Sequence, residues 1–124
     1  MKVAYVRLYA DSSGESHFED LHEELTETDF APPAAPLNLS TLMKASKAGF
    51  LGAPAGWKGD WHPSSGRNLF FVISGEWEIE ASDGEIRRFG PGSIVKVEDT
   101  SGKGHASRVI GNRESLTGIV ELAD

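Results

Sequence analysis

At 124 residues the chain has room for one domain with one core and not for two. Its formal net charge of −7 repels phosphate backbones and argues against nucleic acid as a partner. The lack of cysteine excludes disulfides and thiolate metal sites, and no apolar run reaches the length of a membrane span.

The opening MKVAYVRLYA is too short and too polar for a secretory signal, so a cytoplasmic protein is expected. Within it VAYVRLY (3–9) alternates, with Ala4, Val6 and Leu8 on one face, and predicts a strand. DSSGES (11–16) is turn chemistry, and HFEDLHEEL (17–25) follows as a return strand. The prolines of FAPPAAPLNLS (30–40) forbid a helix and favour an extended connection. A further strand is expected around Ala45–Leu51.

LFFVIS (69–74) is a continuous apolar run, as expected for a strand buried on both faces. A tight turn at Ser74-Gly75 leads into GEWEIEAS (75–82). There Trp77, Ile79 and Ala81 alternate with Glu76, Glu78 and Glu80, which read as a solvated face. Asp83-Gly84 suits a type I′ hairpin turn. EIRRF (85–89), SIVKVE (93–98), HASRVI (105–110) and SLTGIVEL (115–122) continue a series of short strands punctuated by Gly, Pro, Asn and Asp. Such a series predicts an all-β sandwich or barrel.

The spacing Gly56-x5-His62-x-Ser64-x3-Asn68-x6-Gly75 resembles the first cupin motif, G-x5-H-x-H-x3-E-x6-G. Residues 72–97 resemble the segment between the two cupin motifs. Gly92 and His105 stand for the glycine and histidine of the second motif, G-x5-P-x-G-x2-H-x3-N. The resemblance covers residues 45–112 in detail. It implies a double-stranded β-helix, the jelly-roll barrel, over 45–122. The N-terminal strands and Pro-rich connection of 1–40 are expected to pack outside it, with 1–124 forming a single domain. It also implies a homodimer paired through sheet edges, for which residues 1–25 offer a strand.

The metal-binding members of that family use two histidines and a glutamate from the first motif and a histidine from the second. Here His62 is kept, Ser64 replaces the second histidine, and Asn68 replaces the glutamate. In the second motif Glu98, Thr100 and Val109 depart from the pattern, and two extra residues precede His105. The candidate pocket is Asp60, Trp61, His62, Ser64, Asn68 and His105, with Trp57 nearby and Tyr5 or Tyr9 as proton carriers if the N-terminal strand reaches it. On an unbroken strand Asp60, His62 and Ser64 share one face. Three readings stand side by side. The first is a binding protein that holds a small polar or anionic molecule with His62, Asn68 and His105. The second is a metal-dependent dioxygenase or isomerase. Its divalent iron, zinc, nickel or manganese would sit on His62 and His105, completed by Asp60 or Asn68, with Glu98 or Asp99 also in reach. The third is metal-free acid/base catalysis of the sugar epimerase kind, which needs a histidine bonded to a carboxylate, with His62 and Asp60 as the candidate pair, and a second proton carrier opposite.

His17 and His22 are five apart and point to opposite faces of a strand. Gly102-Lys103-Gly104 is too short for a phosphate loop. Ser64 and Ser65 beside His62 lack a nucleophile elbow.

Overall fold

The computed structural model describes all 124 residues. The chain is all-β, with strands β1 (Lys2–Ala10), β2 (Ser16–Glu24), β3 (Thr26–Thr28), β4 (Leu37–Leu39), β5 (Ala45–Ala53), β6 (Lys58–His62), β7 (Asn68–Ser74), β8 (Glu76–Ala81), β9 (Ile86–Phe89), β10 (Ile94–Glu98), β11 (His105–Ile110) and β12 (Ser115–Leu122). Two sheets face each other across one core. One has the order β2-β1-β10-β7-β12-β5 and the other the order β6-β11-β8-β9. A separate ribbon pairs β3 with β4.

The alternation read in the sequence decides which face each strand buries. Val6 and Leu8 of β1, Val72 of β7, and Val95 and Val97 of β10 point inward from the larger sheet. Trp77, Ile79 and Phe89 meet them from the smaller one. Leu8 is fully buried. Removing such a side chain typically costs about 2–5 kcal/mol.

Four expectations change. The N-terminal strands are not packed outside the barrel: β1 pairs in parallel with β10 and in antiparallel with β2, so both belong to the larger sheet. LFFVIS is not buried on both faces. Leu69 and Val72 are buried, but Phe71 and Ile73 are 39% and 49% exposed on the outer surface, because no layer covers that sheet from outside. Ser74-Gly75 is not a hairpin: β7 and β8 lie in different sheets, and the pair turns the corner between them. Gly75 has φ +75°, and a Cβ there would lie 2.6 Å from the Glu114 carbonyl oxygen. The turn at Asp83-Gly84 is not type I′, which needs positive φ at two successive residues. Only Gly84 has it, and Gly84 N–H donates to the Ala81 carbonyl at 3.0 Å, so the loop is a three-residue turn ending in a left-handed glycine.

No helix is long and apolar enough to cross a membrane.

Candidate functional site

Between the sheets lies a cavity of about 170 Å³. Its walls are mostly apolar, with Trp57, Phe70, Val72, Trp77 and Ile79 prominent, and its polar end is formed by His62 and His105. Trp57 and Trp77 meet edge to face with centroids 5.7 Å apart, and Trp77 Nε1 donates to Thr117 Oγ1 at 3.3 Å. Trp57 lies across Gly59, where a Cβ would come within 2.6 Å of its ring.

The two histidines are cross-strand partners. His105 opens β11 directly opposite His62 at the end of β6, and the ring centroids are 5.0 Å apart. Gly104 makes this pairing possible. It has φ +72°, and a Cβ there would run into the backbone of His62 and Pro63. His105 is buried, while His62 is exposed at the mouth.

Behind His105 sits Asp99, fully buried, whose Oδ2 lies 2.6 Å from His105 Nδ1. The period of β10 explains its direction. Val95 and Val97 point inward, so Asp99 does too, whereas Glu98 points out. Asp99 Oδ1 is buried without a hydrogen-bond partner. Such an orphan costs about 1–3 kcal/mol and is uncommon outside functional or strained sites.

The partners fix which ring nitrogens face the cavity. The Asp60 carbonyl, which can only accept, lies 2.7 Å from His62 Nδ1, so that nitrogen carries the proton. The Asp99 carboxylate draws the His105 proton to Nδ1 in the same way. Each neutral ring is left with an Nε2 lone pair that has no partner within the chain. Two adjacent acceptors thus stand at the end of an apolar chamber.

The loop leading into His105 is anchored from several sides. Lys103 N–H donates to the Gly14 carbonyl at 2.9 Å, and Ser16 Oγ donates to the Gly104 carbonyl at 2.7 Å. His17 bridges Asp11 (2.7 Å) and Asp83 (2.9 Å), and those hydrogen bonds raise its pKa above the usual imidazole value. On the other side Glu98 accepts from Arg7 Nε and Arg67 Nε, each at 2.7 Å. Burial works against the Glu98 charge, but the bonds from Arg7 and Arg67 outweigh it and hold the carboxyl below its ordinary range.

Of the six candidate pocket residues only His62 and His105 line this cavity, joined by Trp57, which was expected nearby. Asp60 does not share a face with His62. His105 pairs with His62 but Ser107 pairs with Gly59, so β6 carries one extra residue, a bulge that reverses the alternation between them. Asp60 instead lines an outer groove with Lys58 and Arg108, and its carboxylate accepts from Trp61 N–H. Trp61 is 45% exposed outside the cavity. Ser64 donates its hydroxyl to the Gly66 carbonyl, and Asn68 donates to that same carbonyl and to Ser64 Oγ, so both serve the turn before β7. Tyr5 and Tyr9 lie on the opposite face of β1 from Val6 and Leu8 and do not line the cavity.

The donor set does not fit a resident transition-metal ion. Such sites take three or four imidazole, carboxylate or thiolate ligands. No three His, Asp or Glu side chains converge in a way that could hold a metal ion. Asp60 and Asn68 are turned away, and Asp99 is spent on the far nitrogen of His105.

Sequence reasoning missed the wall residues Trp77, Phe70 and Thr117. Trp77 was legible as the inward position of an alternating strand. Asp99 appeared only as a possible metal ligand.

No family model and no curated protein matches this chain. Among solved structures it is similar to the cupin domain of Cnp3 from Schizosaccharomyces pombe. That match has 17% identity and a TM-score of 0.51, and covers 99% of this chain and 84% of that one. Protein NMB1881 from Neisseria meningitidis matches at 14% identity and a TM-score of 0.46, over 67% of this chain and 84% of that one. The capsular polysaccharide assembling protein CapF from Staphylococcus aureus matches at 15% identity and a TM-score of 0.47. There 81% of this chain is covered but only 29% of CapF. The likeness to the Cnp3 domain shows the fold alone.

Proposed function

The fold is the cupin jelly roll, and we propose on that premise that the chain is a small-molecule-binding protein whose ligand sits between the sheets. The cavity size supports a ring-sized ligand, since an apolar cavity of about 150 Å³ takes one benzene-sized molecule. The walls support an apolar body for that ligand, in place of the polar or anionic molecule expected from sequence. The paired Nε2 acceptors support a single hydrogen-bond donor on it, such as a phenol, an enol or a protonated acid. The observation that carries the reading is Asp99 Oδ2 at 2.6 Å from His105 Nδ1 at the polar end of the cavity.

A second reading is favoured by the same contact. A histidine backed by a buried carboxylate, with a second histidine 5.0 Å away, is an arrangement for moving a proton. His105 would take a proton from the ligand at Nε2 while Asp99 stabilises the imidazolium that forms. His62, open to solvent, would pass a proton to or from water.

A screen of ring-sized phenols and carboxylic acids against ¹H–¹⁵N spectra tests both readings. Binders should shift the indole signals of Trp57 and Trp77 and lose tenfold or more in affinity with His105→Ala. Binders that map elsewhere, or ignore His105→Ala, would refute the binding reading. Exchange of a carbon-bound α-proton of the ligand with solvent deuterium, lost in Asp99→Asn while binding persists, would separate catalysis from binding alone.

A further inference from the structure

One cross-strand row on the outer face of the smaller sheet carries a charge pattern at odds with the acidic chain around it. Register places Lys58 of β6 opposite Arg108 of β11, Arg108 opposite Glu78 of β8, and Glu78 opposite Arg88 of β9. One cross-strand row therefore holds three cations and one carboxylate. Glu78 is already committed. It accepts from Arg108 Nε at 2.8 Å and lies 2.7 Å from Arg108 Nη2 and 3.2 Å from Arg88 Nε. Those contacts, Arg108 first, hold its carboxyl below the usual range. Lys58 and Arg113 have no carboxylate within 4.0 Å. Like charges directly opposite on neighbouring strands oppose pairing, yet Lys58 faces Arg108 in a chain with net charge −7.

Beside this row runs an open groove of about 920 Å³, lined by Lys58, Arg88, Arg108 and Arg113 with Glu76 as its one acidic residue. The β11–β12 turn closes one end with Gly111, whose φ of +80° and open surroundings leave the backbone accessible. The four cations come from four separate segments, and two of them are unpaired.

The geometry points to this groove as a binding site for a small soluble anion with two or more negative charges, of the phosphate or pyrophosphate class. An anion between Lys58, Arg108 and Arg113 relieves the cross-strand repulsion and takes forked hydrogen bonds from guanidinium groups. The net charge favours a small ligand over a polyanion. For a compact anion the acidic groups beyond a screening length of about 8 Å are damped, whereas an extended one meets them directly.

Titration of the full chain with inorganic phosphate and inorganic pyrophosphate at low ionic strength, followed by ¹H–¹⁵N spectra, tests this. Saturable shifts confined to residues around 58, 88, 108 and 111–113 are expected, tighter for pyrophosphate than phosphate. Lys58→Ala/Arg113→Ala should weaken binding at least tenfold. Lys44→Ala/Lys47→Ala, which removes the same charge from another face, should leave it within twofold. Both positions of the first variant are surface sites, and its spectrum reports directly whether it is folded. No saturation, or equal weakening by the two variants, would overturn the assignment. Vesicles of phosphatidylglycerol form the second arm. The chain should stay in the supernatant, and co-sedimentation would overturn a soluble ligand.

Discussion

Two stretches meet at the mouth of the cavity, residues 60–68 and residues 99–105, and they differ in kind. The first is rich in residues that look functional, yet three of them bond within their own segment: Asp60 to Trp61, and Ser64 and Asn68 to Gly66. Only His62 turns inward. The second has two polar groups that matter, Asp99 and His105, both buried and bonded to each other. Polar residues in an exposed turn satisfy the backbone there. Polar residues carried inward by an unbroken alternation need partners, and those partners organise a site.

The largest test of this contrast compares the glycines of the two stretches. Gly104→Val adds a side chain at positive φ against the His62 backbone and should cost about 3 kcal/mol or more by chemical denaturation. Gly66→Ala meets open space and should change stability by no more than about 0.5 kcal/mol. Equal costs would dissolve the distinction.

The two aspartates come next. Asp99→Ala removes a buried, charge-assisted hydrogen bond and should cost about 2 kcal/mol together with at least tenfold in ligand affinity. Asp60→Ala should cost under about 0.5 kcal/mol and leave affinity unchanged, because that side chain lies outside. A drop in affinity for Asp60→Ala would put the carboxylate back in the pocket. Asn68→Ala should lower stability by about 1 kcal/mol through its turn while leaving affinity alone.

The smallest effect concerns what anchors the second stretch. His17, charged between Asp11 and Asp83, has a raised pKa. Its contribution is therefore complete below its unpaired value of 6.5 and fades as pH rises through the higher folded value. Denaturation midpoints of wild type and His17→Gln should differ most in mild acid and converge in alkali. A gap that is constant with pH would mean that the ion pairs contribute nothing.

The contrast also marks what could be read from sequence. The glycine spacing and the alternation of β8 and β10 announced the jelly roll, because period 2 and turn glycines follow directly from backbone geometry. His62 and His105 were legible for the same reason. Asp60 was misplaced because one extra residue in β6, invisible in the sequence, reverses its face. The N-terminal strands were set apart because parallel pairing of β1 with β10 joins residues some ninety positions distant, and no local pattern encodes that.

The most direct test is the tautomeric state of the two cavity histidines, read from long-range ¹H–¹⁵N couplings at a pH where both rings are neutral. The account requires the proton on Nδ1 of His105 and of His62, with Nε2 bare, and a loss of that preference at His105 alone in Asp99→Ala. A proton on Nε2 of His105 in the wild type, or a preference unchanged in Asp99→Ala, would contradict it.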